Sequence, residues 1–337
     1  MIQENFIFSK VESPLPEKLV DDLLGMWAEI FGQDYLSNQN IRPVLLGKEK
    51  KYNRDIVFLA QHKEKIIATS HLTISRFDKR IGGIGEVATD KQYRSKGLAR
   101  NLCSMAIEEF EGKNGEWLFL GTSNPVAARL YNSLGWRFVP GTKVMMRITG
   151  LKSPEDFFRY YRKQIKSNNI KIVSGSPGFR LQIIPPIIFP HDEIILDYNT
   201  GIFSTRWFVQ KSCMGLYPRY ERICSDGTWF VAVSNKFVSG ISSVRFQEEK
   251  TAQVDGFCSI NNTSVLSGLY RKTIRFAINN GACHIHMVAD RADAKKNEFL
   301  VKMGCVQTNE TIKIESKEGI LDLVVYEYPI TARKKTK

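Results

Sequence analysis

The sequence predicts an α/β protein of two tandem domains, the second a weakened copy of the first. Three observations carry that reading. A chain of 337 residues, 43% of them hydrophobic, favours two domains of ordinary size over one. Strand-like and helix-like stretches alternate through residues 1–150. The order of elements across Ile81–Trp136 then returns between about 192 and 330, with Gly304-Cys305 standing where Gly135-Trp136 stands, a match of pattern more than of identity. The boundaries this sets are a first domain at 1–150, a connector at 151–190, a second domain at 191–330 and a tail at 331–337.

In order, Phe6–Ser9 reads as a short strand and Pro14–Gly32 as an amphipathic helix with Leu19, Leu23, Trp27 and Phe31 at i, i+4 spacing. Asp55–Gln61 and Lys65–Arg76 read as strands joined by a polar turn at His62-Lys63-Glu64, and Ile81–Thr89 as a further one. A basic, glycine-containing loop leads into the helix Leu98–Phe110. The strand Trp117–Gly121, the helix Pro125–Leu134 closed by Gly135, and a strand pair across Trp136–Ile148 turning at Pro140-Gly141 complete the layer. In the connector, Pro154–Lys166 reads as a helix packing through Phe157, Phe158, Tyr160 and Tyr161. In the second domain Ala252–Cys258 and Cys283–Ala289 read as strands, and Val265–Asn279 and Ala292–Met303 as helices.

The net charge of +13 divides as +4 over residues 1–150 (21 basic, 17 acidic) and +9 over residues 151–337 (27 basic, 18 acidic). A basic surface draws anions without choosing among them. No RNA- or DNA-binding motif accompanies it, so nucleic acid is not the expected partner. The tail Arg333-Lys334-Lys335-Thr336-Lys337 has no apolar residue to pack and is expected to be disordered. Six cysteines without a close CxxC pair suggest neither a zinc ribbon nor a disulfide scaffold and read as reduced thiols. His284 and His286 share a strand face but have no third ligand at a recognisable spacing, so no metal is expected. With no signal-like leader and no apolar run long enough to cross a bilayer, the expected location is the cytoplasm, away from membrane.

The strongest chemical signal is Glu86-Val87-Ala88-Thr89-Asp90-Lys91-Gln92-Tyr93-Arg94-Ser95-Lys96-Gly97-Leu98-Ala99-Arg100, a strand running through a loop into a helix. Backbone N–H groups at a helix start are unpaired and carry the positive end of the helix dipole, so a pyrophosphate can bind there. Gly97 lets the backbone come close, and Arg94, Lys96 and Arg100 add charge. The stretch resembles the coenzyme A signature of the GNAT N-acetyltransferase superfamily, R/Q-x-x-G-x-G/A, with Ala99 at its last position. Downstream, Asn124-Pro125-Val126-Ala127-Ala128-Arg129-Leu130-Tyr131-Asn132-Ser133-Leu134-Gly135-Trp136 is similar to the superfamily block N-x-x-A-x-x-L-Y-x-x-x-G-F, with Trp136 in place of phenylalanine.

The resemblance covers residues 1–150 and implies two tandem GNAT-like domains, each a mostly antiparallel mixed sheet flanked by helices, with acetyl-coenzyme A as acyl donor. It implies that the strand Glu86, Val87, Ala88, Thr89 splays from its neighbour, bonds the pantetheine arm and polarises the thioester through an N–H near Ala88. Arg94, Ser95, Lys96, Gly97, Leu98, Ala99 and Arg100 would hold the pyrophosphate. Asn124 would contact the pantetheine, Tyr131 would protonate the leaving thiolate, and Glu86 would take a proton from the attacking amine. Structural roles compete at three positions: Asn124 before Pro125 is a good helix N-cap, Tyr131 at helical spacing from Ala127 and Leu134 fits a core, and Glu86 fits an exposed strand carboxylate. Cys103, on the helix after the loop, lies near the site or is a buried thiol.

The second domain departs from the pattern. Thr263–Gly268 lacks the arginine and the spaced glycines, and Phe299 stands near the equivalent of Tyr131 and cannot donate a proton. It reads as a degenerate GNAT-like copy that shapes the acceptor site or a homodimer. The implied activity is transfer of acetyl to a primary amine by direct attack in a ternary complex, an N-acetyltransferase rather than an aminoacyl-transferring enzyme. The alternatives are a non-catalytic acyl-coenzyme A-binding regulator and aminoacyl transfer on the same tandem scaffold, the latter disfavoured by the intact loop. The acceptor leaves no readable signature in Gly32–Asn53 or Gly141–Ile148, where this superfamily sets its specificity.

Overall fold

The computed structural model describes residues 5–149, 153–166, 169–259, 262–316 and 319–330. The expected disordered tail at 331–337 lies outside the described residues. The chain divides into two compact units, the first Met1–Phe157 with Ser176–Ile184 and Lys211–Pro218, the second Phe158–Gly175, Pro185–Gln210 and Arg219–Lys337. The stretch 151–190 is therefore not a separate connector. Its residues are shared between the two units, and 176–184 packs as part of the first.

The first unit runs β1 (Ile7–Glu12), α1 (Glu17–Phe31), α2 (Gln33–Gln39), α3 (Ile41–Leu45), β2 (Asn53–His62), β3 (Lys65–Ser75), β4 (Ile81–Thr89), α4 (Leu98–Glu111), β5 (Trp117–Gly121), α5 (Pro125–Ser133), β6 (Arg137–Phe138) and β7 (Val144–Ile148). Its seven strands lie in the order β1-β2-β3-β4-β5-β7-β6. All neighbours are antiparallel except β4 and β5. The helix expected at Pro14–Gly32 begins later, at Glu17, and Phe31 is exposed while Val20, Leu23 and Trp27 form its buried face. Prolines at 14 and 16 have no N–H to give to a helix and occupy its lead-in instead.

Period-two alternation divides the sheet residues between two cores. On one face Ile56, Phe58, Ala68, Leu72 and Ile84 pack against Leu98, Leu102, Cys103 and Tyr131 of α4 and α5. On the other, Val57, Leu59 and Ala88 pack against Val20, Leu23 and Trp27 of α1 and Ile41 and Val44 of α3. Gly82 lies where a Cβ would stand 2.7 Å from the Phe110 ring and 2.8 Å from Leu118, so the close approach of α4 to β4 requires glycine.

The second unit contains β8 (Lys171–Ser174), α7 (Ile184–Ile188), β9 (Ile195–Asp197), β10 (Ile202–Phe203), α8 (Leu216–Ile223), β11 (Gly227–Ser234), β12 (Phe237–Phe246), β13 (Thr251–Cys258), α9 (Thr263–Asn279), β14 (His284–Asp290), α10 (Ala294–Lys302), β15 (Val306–Ser316) and β16 (Gly319–Glu327). Helices α6 (Pro154–Ile165), α7 and α8 each cross a boundary between the units. Its main sheet has the order β8-β11-β12-β13-β14-β16-β15, strand for strand the order of the first. The parallel pair recurs too: β13 and β14 are joined by three residue pairs, from Thr251↔His284 to Gln253↔His286. The duplication read from the sequence is thus a duplication of topology. Both units are mixed α/β sheets flanked by helices.

Segment 176–184 joins the first unit through a buried ion pair. Arg180 donates to both oxygens of Glu49, at 2.8 and 2.5 Å, and the side chains are 5% and 1% exposed. Asn53 donates to Glu49 at 3.0 Å and Gln182 to Ser75 at 2.6 Å. A buried charge left alone is far costlier than the pair is favourable. Arg180→Ala should therefore destabilise the first unit by about 3–5 kcal/mol, read by urea unfolding, and Arg180→Met combined with Glu49→Leu should recover most of that loss.

Candidate active site

The β4–β5 ladder runs through only three pairs, Ile81↔Trp117, Gly82↔Leu118 and Gly83↔Phe119. Beyond Gly83 the two strands diverge, and the facing edge of β4 from Ile84 to Thr89 carries no ladder with β5. Helix α4 starts after β4 and α5 after β5, so both helix starts lie at the open end of the parallel pair, the position at which α/β sheets bind ligands.

Strand β4 carries a β-bulge. Thr69 pairs with Ala88 but His71, two residues on, pairs with Gly85, three residues back, so β4 has one residue more than its partner. Glu86 sits in the bulge with φ of 46°, a left-handed conformation that costs a non-glycine residue about 1–2 kcal/mol. The bulge re-aims the strand. Ile84 packs on the α4 face, whereas Glu86 and Ala88, at the same parity, turn to the α1 face.

Glu86 is 8% exposed, so it is not the open strand carboxylate that one sequence reading allowed. Tyr35 of α2 donates its hydroxyl to Oε1, and His71 lies 2.7 Å from Oε2 through Nδ1. His71 Nε2 is 3.1 Å from Asp55 Oδ1, which also accepts from Thr73 at 2.8 Å. Thr69 donates to the Glu86 carbonyl at 2.7 Å and accepts from the Trp27 indole at 2.9 Å. Burial alone pushes the His71 pKa down, but hydrogen bonds and charge from Asp55 and Glu86 outweigh it and raise the value to about 9. Burial first, and the Glu86 charge next, hold the Tyr35 phenol well above its usual range, so it remains a donor. Asp55, His71 and Tyr35 were not among the residues singled out from the sequence. A signal was present: Thr69, His71, Thr73 and Ser75 are polar at every second position, along one face of β3.

The loop from Arg94 to Arg100 has the form its composition predicts. Asp90 caps a short turn, accepting from the Gln92 amide at 3.0 Å and from Lys65 at 2.7 Å. Ser95 and Gly97 take positive φ, 63° and 77°, and Gly97 is the N-cap of the 14-residue α4. Arg94, Ser95, Lys96, Gly97 and Arg100 are exposed, Ala99 is half-buried, and Leu98 anchors the helix start in the core. The Lys96 ammonium lies 5.2 Å from the Tyr93 ring centroid and 5.9 Å from that of Phe6, a cation–π arrangement. First-turn amides and three cations thus face solvent together at the open end of the β4–β5 pair.

Asn124 is the N-cap of α5, its side-chain oxygen accepting from the Val126 amide at 2.9 Å and the Ala127 amide at 3.4 Å. Tyr131 is 6% exposed and packs against Trp136, ring centroids 6.3 Å apart. Its phenol is pushed up by burial, with a smaller contribution from Cys103, whose own thiol is raised by burial to about 12. Cys103 is a buried thiol of the α4 core. Among the described residues no three His, Cys, Asp or Glu converge as a metal site, and no helix is long and apolar enough to cross a membrane. His284 instead contacts Glu327 at 3.0 Å.

The corresponding region of the second unit is built differently. Strand β13 pairs with β12 in continuous register, without a bulge. The Tyr270 hydroxyl bonds Asp255 at 2.8 Å and the Gly256 carbonyl at 3.2 Å, Lys296 pairs with Asp255 at 2.7 Å, and Phe299 packs on Tyr270 with ring centroids 5.0 Å apart. Side chains there already use the β13 backbone and the helix faces beside it.

Residues 24–136 match the model of the acetyltransferase (GNAT) family. Solved structures similar to this chain include a GNAT-family acetyltransferase from Staphylococcus aureus Mu50, 18% identical over 42% of this chain and 99% of that one, with a TM-score of 0.34. Another is ElaA of Escherichia coli, 20% identical over 42% and 99%, TM-score 0.35. A third is a Bacillus subtilis acetyltransferase in complex with CoA, 14% identical over 33% and 82%, TM-score 0.28. Curated proteins give no match. The part of the chain that carries the bulge, the loop from Arg94 to Arg100 and the asparagine–tyrosine helix is the part that matches the GNAT acetyltransferase family model.

Proposed function

We propose that the first unit transfers an acetyl group from acetyl-coenzyme A to a primary amine, by direct attack in a ternary complex. One observation carries the reading: the β4–β5 ladder stops after three pairs, at the end of the sheet where the glycine-capped start of α4 presents its free amides and Arg94, Lys96 and Arg100. The pyrophosphate lies on Arg94–Arg100, and the pantetheine arm extends along Val87, Ala88 and Thr89, where β4 has no ladder with β5, like an added strand. Asn124 keeps its cap role and contacts the arm. A six-cysteine chain with no disulfide fits a cytoplasmic setting.

In the chemical step the amine nitrogen forms a bond to the thioester carbonyl carbon while the C–S bond breaks and its electron pair passes to sulfur. An N–H near Ala88 polarises the carbonyl. Tyr131, kept protonated by its burial, gives its proton to the thiolate, and the proton that the nitrogen sheds as the amide forms restores the phenol. The ammonium form of the acceptor must lose a proton before attack, and Glu86 is the carboxylate positioned to take it. A panel of amines assayed for coenzyme A release, with products identified by mass spectrometry, tests the reading. It fails if acetyl-coenzyme A binds and no amine is acetylated.

Two measurements bear on the site itself. Calorimetric titration with acetyl-coenzyme A should give one site per chain, and Gly97→Asp should abolish it by placing a side chain at φ 77° and a negative charge beside the pyrophosphate. Stoichiometry near two would move a site into the second unit. Tyr131→Phe should leave that affinity within about twofold and lower kcat by ~10²–10⁴. An unchanged kcat with chemistry rate-limiting would make Tyr131 a core residue only.

A further inference from the structure

Glu86 has a structured backing that the acetyl-transfer step does not itself require. The His71 ring faces a carboxylate oxygen through each nitrogen, Glu86 at 2.7 Å and Asp55 at 3.1 Å. A neutral imidazole carries a single N–H, so one of these contacts would then set lone pair against lone pair; both are attractive only when the ring is an imidazolium. The remaining Glu86 oxygen accepts from Tyr35 on α2. Beside it, Gly85 leaves open space, with no atom within 4 Å of where a Cβ would be.

We propose that Asp55 and His71 are a positioning pair: the doubly protonated ring, held from behind by Asp55, orients Glu86 at the bulge, and the Tyr35 hydroxyl holds the place that the acceptor's ammonium takes. The proposal rests on the amine-acetylation reading for the identity of the acceptor, and on geometry for the state of the ring. Ammonium and phenol are both single-point donors to a carboxylate oxygen, so exchanging one for the other leaves the His71 contact intact. Acceptors are thereby selected for a cationic, unhindered amine able to displace Tyr35.

The surroundings agree in charge. His71 is met by Asp55 from β2 and Glu86 from β4; on its own strand Thr73 donates to Asp55 and Thr69 to the Glu86 carbonyl, α1 contributes the Trp27 indole to Thr69, and α2 contributes Tyr35 to Glu86. Arg180 of segment 176–184 interacts electrostatically with Asp55. Cys213 of segment 211–218, its thiol raised to about 12 chiefly by burial, stays neutral near Glu86. With a folded-state pKa of about 9 against an ordinary 6.5, the imidazolium is present at neutral pH. Its contribution is complete below about pH 6.5 and disappears as pH rises through about 9.

Imidazole ¹H–¹⁵N spectra of the full chain test this without turnover, His71 being assigned by replacing His62, His191, His284 and His286 in turn. The expected result is a ring protonated on both nitrogens at pH 7, with a midpoint near 9 that Asp55→Asn lowers. In kinetics, His71→Gln should raise the acceptor KM roughly 10–100-fold, the range for groups that orient a reacting ligand from behind, with acetyl-coenzyme A affinity retained. Asp55→Asn should move the alkaline fall of acceptor kcat/KM to lower pH. A ring carrying one proton at pH 7, a midpoint near 6.5, or an unchanged acceptor KM and pH profile in His71→Gln would overturn the proposal. Absence of any amine acetylation would instead defeat the reading of the reaction, while the spectra still report on the pair.

Discussion

The first unit is organised by the limit placed on its one parallel ladder. Three residue pairs hold β4 to β5, and each strand then passes to its own helix. A longer ladder would satisfy the β4 backbone with β5 and close the sheet. A shorter one would leave Trp117–Phe119 without the neighbour against which they are buried. Beyond Gly83 the edge of β4 that faces β5 is left without a ladder, and the helix starts that follow the two strands lie at that end of the pair. The bulge at Glu86 adds to this: one extra residue twists β4 away and turns a carboxylate onto the opposite face from α4.

That turn creates an electrostatic problem which the rest of the unit answers. A carboxylate in a nearly closed site must be bonded and charge-compensated. Glu86 meets the requirement with a phenol and an imidazole, the imidazole with Asp55, and nearby Glu49 with Arg180. The chain reaches far along itself to do so, because Arg180 lies 131 residues from Glu49. Segment 176–184 follows the sheet's last strand yet belongs to the first unit, where it pairs Glu49 with a buried guanidinium and Ser75 with the Gln182 amide.

What could be read from the sequence was what is local. Strand β4 and strand β5 fall where the alternation and turn signals put them, Ile81–Thr89 and Trp117–Gly121, and Gly97 stands at the helix start that its backbone freedom suits. Contacts set by long-range register were not legible. Asp55 and His71 meet only because Asp55 pairs with Thr73 across β2 and β3, and Glu86 joins them only through a bulge, which leaves no mark in composition. The connector was misdrawn for a related reason: a short segment that packs back onto an earlier domain carries no periodicity of its own.

The two units together separate what the fold requires from what a cofactor site requires. Both keep the strand order and the three-pair parallel ladder, so these are properties of the sheet. Only the first has a bulge between the third and fourth strands of the sheet, and only the first has a positive-φ glycine as the N-cap of its long central helix. In the second, Asn262 caps α9 and Tyr270 bonds the β13 backbone. A strand edge left open has unsatisfied groups that must find some partner. In the second unit side chains of the chain itself supply it. The Tyr270–Asp255–Lys296 cluster closes the corresponding region of the second unit, because buried polar groups that face no solvent are stable only when buried side chains complete their hydrogen bonds and balance their charge.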